Sequence, residues 1–353
     1  MLNDLQKLHI IASGATLLEA LRQLNSLPAG AAMTLVAVDS CGRAEGTVTD
    51  GDLRRGMLDG LDLSAPVSAA MHRSFECLDP AGDDNVGRLR RLRERGIRLV
   101  PELDAEGKVI GLVDLKYTSN RLPVSAILIA GGRGERLRPL TLTTPKPLLK
   151  VGDKAIIDYN VDALHACGVD DISVTVNYLG QQIEEHFARR GDGVKTVREA
   201  SRTGTLGSAS LCDIPAEGDT IVMNADLLTT LSLEEFYLHH HATGADITIA
   251  AIPYNVSVPY AILDVTDGRV GGLREKPLYS YFANAGIYLF SNRLLRRLEP
   301  GAYMDATDFI ESAIAEGLNV GYFPISGTWI DIGSPADYTH ACELMKHLNR
   351  FPR

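Results

Sequence analysis

Residues 127–151 read ILIAGGRGERLRPLTLTTPKPLLKV. The apolar run from Val124 to Ala130 ends in Gly131-Gly132-Arg133-Gly134, three glycines in four positions. Glycine loses more backbone entropy on folding than other residues, so such a cluster marks a tight turn or a close backbone approach to a ligand, not a core. Cations follow at Arg133, Arg136 and Arg138, and then Lys146 stands between two prolines. A strand, a glycine loop and basic side chains together suit phosphate: loop amides donate hydrogen bonds and the cations offset charge. Apolar residues resume at Leu148 and Leu149, which anchors the loop in a folded domain.

Spacing excludes two common phosphate loops. A P-loop requires glycine, four residues, then Gly-Lys-Ser/Thr, and the stretch has no such run. The dinucleotide fingerprint GxGxxG fails because Gly132-Arg133-Gly134 continues as Glu135-Arg136-Leu137.

Around this stretch, apolar strands and amphipathic helices alternate from Val124 onward. The pattern predicts strands at 124–130, 171–176, 194–197, 220–223, 246–251 and 287–290. Helices are expected at 156–167, 181–189, 207–212, 233–241 and 335–348. Such alternation implies an α/β fold with a parallel or mixed sheet covered by helices, whose ligands bind beyond the carboxyl ends of the strands. Before it, residues 1–120 repeat helix, strand, turn, strand twice, an internal α+β repeat. The polar segment Tyr117 to Pro123 places the boundary near residue 121, giving domains 1–120 and 121–353.

The formal net charge of -10 argues against a nucleic-acid partner, since a negative surface repels phosphate backbones. No apolar stretch approaches the roughly 18 residues of a membrane span, so no membrane role is expected. The five cysteines are scattered with no paired spacing. They read as reduced thiols, and with no basic-then-apolar leader at the N-terminus they point to the cytoplasm.

The glycine stretch resembles the signature of the sugar-1-phosphate nucleotidyltransferases (nucleotide-sugar pyrophosphorylases). The match runs through Gly-Gly-x-Gly-x-Arg-Leu, Pro-Leu-Thr and Pro-Lys-Pro-Leu. The resemblance implies a Rossmann-like, GT-A-like mixed-sheet domain that joins an NTP to a sugar-1-phosphate and releases pyrophosphate. Gly131, Gly132, Gly134, Arg136 and Lys146 would hold the triphosphate. Asp226 in Asn224-Ala225-Asp226 and Asp331 in Trp329-Ile330-Asp331 match the family's two aspartates for Mg2+. In Glu275-Lys276-Pro277, Lys276 would meet the sugar phosphate and Glu275 the sugar hydroxyls; Asn284 in Asn284-Ala285-Gly286 would bond a hydroxyl. Glu199, Gly204 and Gly207 fall in the base-binding region, although Thr203 and Leu206 depart from its usual wording. That region leans toward the guanylyltransferases, including those acting on mannose-1-phosphate, and so toward GTP. Cytidylyl or uridylyl transfer to another sugar phosphate stays open, as does a regulatory subunit that binds nucleotide sugars without turnover.

The N-terminal repeat resembles a CBS pair, on Gly46-Thr47-Val48-Thr49-Asp50-Gly51-Asp52-Leu53 and on Gly111-Leu112-Val113-Asp114-Leu115. The resemblance implies an adenosine nucleotide whose ribose is held by Thr49 and Asp52. It also implies a homo-oligomer, because such pairs commonly pack together. The second half lacks the matching hydroxyl, with Val113 before Asp114, and a purely structural pair in which Thr49 or Asp52 caps the following helix stays open.

Overall fold

A computed structural model describes residues 2–79 and 85–349. The chain divides into two compact units, Met1–Arg121 and Leu122–Arg353.

In the first unit a three-stranded sheet sets Ile10–Ala12 parallel to Thr34–Val38, and Thr34–Val38 antiparallel to Ala44–Thr49. Helices Leu17–Ser26 and Asp50–Leu58 cover it, and Leu17, Leu35, Val48, Leu53 and Val67 form its core. Both helices start from a threonine whose hydroxyl accepts the N3 amide while the N3 carboxylate returns to the threonine amide: Thr16 with Glu19, and Thr49 with Asp52. These capping boxes satisfy amides that a helix start otherwise leaves unpaired. The succession then recurs. Helix Asn85–Glu94 packs over the antiparallel pair Leu99–Leu103 and Val109–Asp114, around Leu89, Leu92, Val100 and Val113.

The second unit is built on a seven-stranded mixed sheet. Its spatial order is Lys195–Arg198, Ile172–Val176, Val124–Ile129, Asp219–Asn224, Leu278–Ser291, Ile247–Ser257, Val320–Pro324. The first four strands are mutually parallel, and Leu278–Ser291 runs antiparallel to both its neighbours. Ile172–Val176 is buried at every position, the continuous apolar run of a strand covered on both faces. Helices Ile156–Ala166, Gly180–Arg190, Leu233–Thr243 and Ala306–Ala315 supply the cover.

Three features differ from the sequence expectations. The helix expected at 207–212 spans Gly204–Ala209, because Gly204 turns left-handed (φ +77°) and fits under the Met304 carbonyl. The strands expected at 246–251 and 287–290 are much longer, Ile247–Ser257 and Leu278–Ser291, and their outer halves pair beyond the sheet. That arm ends in an unforeseen hairpin, Ile262–Thr266 with Arg269–Arg274. Asp267-Gly268 between them, both at positive φ, is a two-residue hairpin signal present in the sequence. No helix among the described residues is long and apolar enough to cross a membrane.

Candidate active site

The strand register assembles the site. Asn224 pairs with Ile129, and the Ala225 amide donates to the Ile129 carbonyl (3.1 Å). The carboxyl ends of Val124–Ile129 and Asp219–Asn224 therefore lie side by side, and the glycine loop emerges next to Asp226. The short pair Leu227–Thr229 and Trp329–Asp331 runs antiparallel with Leu227 opposite Asp331. The Ile332 amide donates to the Asp226 carbonyl (3.2 Å), so two aspartates 105 positions apart are fixed as neighbours.

Lys146 closes this group. Its chain segment, Lys146–Leu148, is a single 3-10 turn, and the side chain is 10% exposed. The ammonium donates to Asp226 Oδ2 and lies 3.4 Å from Asp331 Oδ1. Asp226 Oδ1 is buried and has no hydrogen-bond partner among the described residues. A buried, unpaired carboxylate oxygen is unfavourable unless something binds it. Two converging carboxylates with a free oxygen fit a hard divalent cation, which commonly takes one or two carboxylates and completes its shell with phosphates and water. No cluster of three or more acidic, histidine or cysteine side chains that could hold a metal ion occurs among the described residues.

The loop itself is braced from within. Gly134 adopts φ +59°, and a Cβ there would meet Thr141 Cγ2 at 3.0 Å and Lys146 Cβ at 3.2 Å, so a side chain would be strained and would press on both neighbours. Thr141 Oγ1 donates to the Gly134 carbonyl (2.8 Å). A Cβ on Gly132 would meet nothing within 4 Å, so that backbone borders open space. A Cβ on Gly131 would collide with the Glu199 carboxylate. Arg136 lies over Gly333, 3.2 Å from where a Cβ would sit, which ties the loop to the segment after Asp331. Two side chains that the sequence reading passed over hold the loop from outside. Tyr178 Oη donates to the Thr141 carbonyl (3.1 Å) and Gln182 Nε2 to the Thr143 carbonyl (2.8 Å).

Glu199 stands at the end of Lys195–Arg198, buried beneath Gly131. Burial pushes its carboxyl above the ordinary range, while the Thr203 hydroxyl, donating at 3.1 Å, pulls the other way. Gly204 and Gly207 are taken up by close packing within the chain: a Cβ on Gly204 would lie 2.7 Å from the Met304 carbonyl, and one on Gly207 3.0 Å from the Met304 amide.

Glu275 and Lys276 stand at the bend between the arm and its hairpin, and both are exposed. Lys276 has φ +42°, a conformation that a side chain disfavours by roughly 1–2 kcal/mol, and its ammonium has no ion-pair partner among the described residues. Asn284 is engaged at both ends, accepting from the Gly286 amide (2.9 Å) and donating to Tyr288 Oη (2.8 Å). In the first unit Thr49 and Asp52 are engaged with each other, Thr49 Oγ1 donating to Asp52 Oδ2 at 2.6 Å, while Arg55 pairs with the other carboxylate oxygen. Burial would raise the Asp52 carboxyl, but Thr49 and Arg55 hold it below its ordinary value.

A mannose-1-phosphate guanyltransferase of Neurospora crassa is 30% identical over 240 residues, covering 64% of this chain and 66% of the relative. Mannose-1-phosphate guanylyltransferase 1 of Arabidopsis thaliana is 31% identical over 234 residues, covering 63% and 64%. The chain thus spans slightly less than two thirds of the length of the curated relatives it matches. A crystal structure of HddC from Yersinia pseudotuberculosis, complexed with GMP-PN, shares the fold at TM-score 0.51 and 22% identity, over 63% of this chain and 99% of that one. The Nucleotidyl transferase family model matches residues 125–347, a span that holds the glycine loop, Lys146, Asp226 and Asp331, and the chain belongs to that family.

Proposed function

We propose that the second unit transfers a nucleotidyl group from an NTP, with GTP favoured, to a sugar-1-phosphate. The observation that carries this reading is the convergence of Lys146, Asp226 and Asp331 beside a glycine loop whose Gly132 backbone faces open space. The preference for GTP is supported by the guanylyltransferase relatives and by the wording around Gly204.

The chemistry follows from charge. An oxygen of the sugar phosphate forms a bond to the α-phosphorus of the NTP. The bond from that phosphorus to the α–β bridging oxygen breaks, and pyrophosphate leaves with the electron pair. The nucleophile is already an anion, so no strong general base is required. What the protein must do is overcome repulsion between anions and stabilise the charge that develops on the transferring group. Amides of Gly131, Gly132 and Gly134, with Arg136, would hold the triphosphate. Lys146 would exchange its carboxylate partners for a phosphate oxygen. Asp226 and Asp331 would hold Mg2+, whose chemistry there is to neutralise phosphate charge. Lys276, unpaired and held in a strained turn, would align the sugar phosphate, and Glu275 and Asn284 would face sugar hydroxyls. Glu199, Gly204 and Gly207 would border the base.

For the first unit the reading is a CBS pair that binds an adenosine nucleotide at Thr49 and Asp52, within a cytoplasmic homo-oligomer. Ribose binding there requires the Thr49–Asp52 hydrogen bond to open, so affinity should fall sharply in Thr49→Val; calorimetry with AMP and ATP measures it, and unchanged affinity refutes the site.

The experiment for the main reading is a matrix of NTPs against sugar-1-phosphates with Mg2+, read as pyrophosphate. Release that needs both substrates and is highest with GTP and mannose-1-phosphate is expected. Highest release with CTP or UTP would overturn the guanylyl assignment.

A further inference from the structure

Between Gly134 and Lys146 the chain makes only two single 3-10 turns, Glu135–Leu137 and Leu140–Leu142. No ladder of backbone bonds fixes such a segment, so its carbonyls must find partners elsewhere. The position of Lys146 depends on it. That side chain is 10% exposed, and its ammonium must reach two carboxylates at once.

The partners come from one neighbouring element. Tyr178 Oη donates to the Thr141 carbonyl at 3.1 Å and lies 3.4 Å from that of Leu142. Gln182 Nε2 donates to the Thr143 carbonyl at 2.8 Å. Three consecutive carbonyls are thus met from the start of helix Gly180–Arg190 and the residues before it. Thr141 is buried, and its hydroxyl carries the connection on to the Gly134 carbonyl. Gly134 in turn packs on Lys146, whose Cβ lies 3.2 Å from where a Gly134 Cβ would sit. A contiguous line of contacts therefore runs from Tyr178 to Lys146.

The turn that presents these donors is strained. Leu179 stands at φ +51°, left-handed although it is not glycine. Gly180 beside it is pressed on the end of strand Ile172–Val176, and a Cβ there would meet Val176 Cγ2 at 3.1 Å. Strain of this kind persists only where the surroundings hold it. On either side of Leu179 stand the two side chains that bond the loop.

We propose that Tyr178 and Gln182 are positioning residues. They set the backbone from Thr141 to Lys146 so that the ammonium can pass from carboxylate to phosphate oxygen without movement of the loop. The inference rests on the phosphate role proposed for Lys146. Both donors are neutral and bond backbone carbonyls, so their effect is on geometry and not on the charge of the site.

Tyr178→Phe and Gln182→Met each remove one donor with little change of volume. The test is pyrophosphate release by the full chain with GTP, mannose-1-phosphate and Mg2+. Because a displacement of about 1 Å costs up to about a hundredfold in rate, kcat should fall about tenfold to a hundredfold in each variant, with KM for the sugar phosphate within about twofold of wild type. Gln181→Ala, on the same helix, loses only a bond to Glu185 and should keep the wild-type kcat. In a Lys146→Gln background both changes should cost less than about twofold, because they act through Lys146. Full additivity there, or wild-type kcat in both single variants, overturns the proposal. A wild type that releases no pyrophosphate with any NTP and sugar phosphate removes the phosphate role of Lys146 and the inference with it. Hydrogen exchange reads the brace without turnover. The amides of Leu142, Leu148 and Leu149, bonded within their own 3-10 turns, should exchange faster in both variants while strand Ile172–Val176 keeps its protection. Unchanged exchange at all three amides refutes the brace.

Discussion

Asp226→Asn separates a catalytic carboxylate from a structural one. The substitution keeps an oxygen for Lys146 but removes a negative charge, and Lys146 retains Asp331 at 3.4 Å. The Asp226 side chain is 26% exposed, so water already screens part of the pair. Breaking a fully buried ion pair costs about 3–5 kcal/mol, and a charged hydrogen bond is worth about 1.5–3. With a second carboxylate still in place, a loss of about 1–2 kcal/mol follows. In a unit of this size that lowers Tm by roughly 2–8 °C. Turnover should respond quite differently. Removing one group that stabilises transition-state charge costs about 2.7–4 kcal/mol in activation free energy, or about 10²–10³ in rate. Pyrophosphate release per folded molecule, set beside a thermal melt, measures both. If turnover stays within about tenfold of wild type while Tm falls, the pair is a structural ion bridge and the active-site assignment fails.

Three further outcomes follow from particular residues. Gly134→Ala should lower Tm, because φ +59° strains any side chain and the methyl group would press on Thr141 and Lys146. Gly132→Ala should leave Tm unchanged and raise the KM for the NTP, because its methyl would enter the space where phosphate is proposed to lie. Lys276→Gly should raise or preserve Tm by relieving the left-handed strain, while KM for the sugar phosphate rises; equal KM values would remove Lys276 from the site. Asp219 makes stability depend on pH. Its burial disfavours charge, but His240 and His241, the latter with Nε2 3.0 Å from Oδ2, hold the carboxyl below its ordinary value. A depressed folded value contributes stability above the unfolded carboxylate pKa, and that contribution is lost as pH falls through the folded one. The Tm difference between wild type and Asp219→Asn should therefore be largest near neutrality and shrink in acid; a difference constant with pH contradicts the assignment.

What could be read from the sequence was local. The strand before the glycine loop, the loop and its cations lie within 30 residues, and their composition alone points to phosphate. The neighbourhood of Asp226 and Asp331 depends instead on a three-residue strand pair, Leu227–Thr229 with Trp329–Asp331, too short to leave a periodic signal. Only resemblance linked those two positions. The arm was missed for a different reason: its outer halves are exposed on both faces, so no alternation of apolar and polar residues marks them. The braces from Tyr178 and Gln182 go to backbone carbonyls, which any sequence offers, so nothing in residue type announces them. Three consecutive histidines, His239, His240 and His241, fall in helix Leu233–Thr243. Adjacent helical positions point apart, and of the three only His240 is buried, with Nδ1 2.7 Å from Thr248 Oγ1.

In the proposed reaction the bond broken lies between the α-phosphorus and pyrophosphate, and the sugar phosphate takes the nucleotidyl group. GTP labelled at the α-phosphate, incubated with mannose-1-phosphate, Mg2+ and the full chain, tests it directly. Label should appear in a sugar nucleotide, with unlabelled pyrophosphate in equal amount. Label that stays in GTP, or appears as GMP or GDP with no sugar attached, would contradict it.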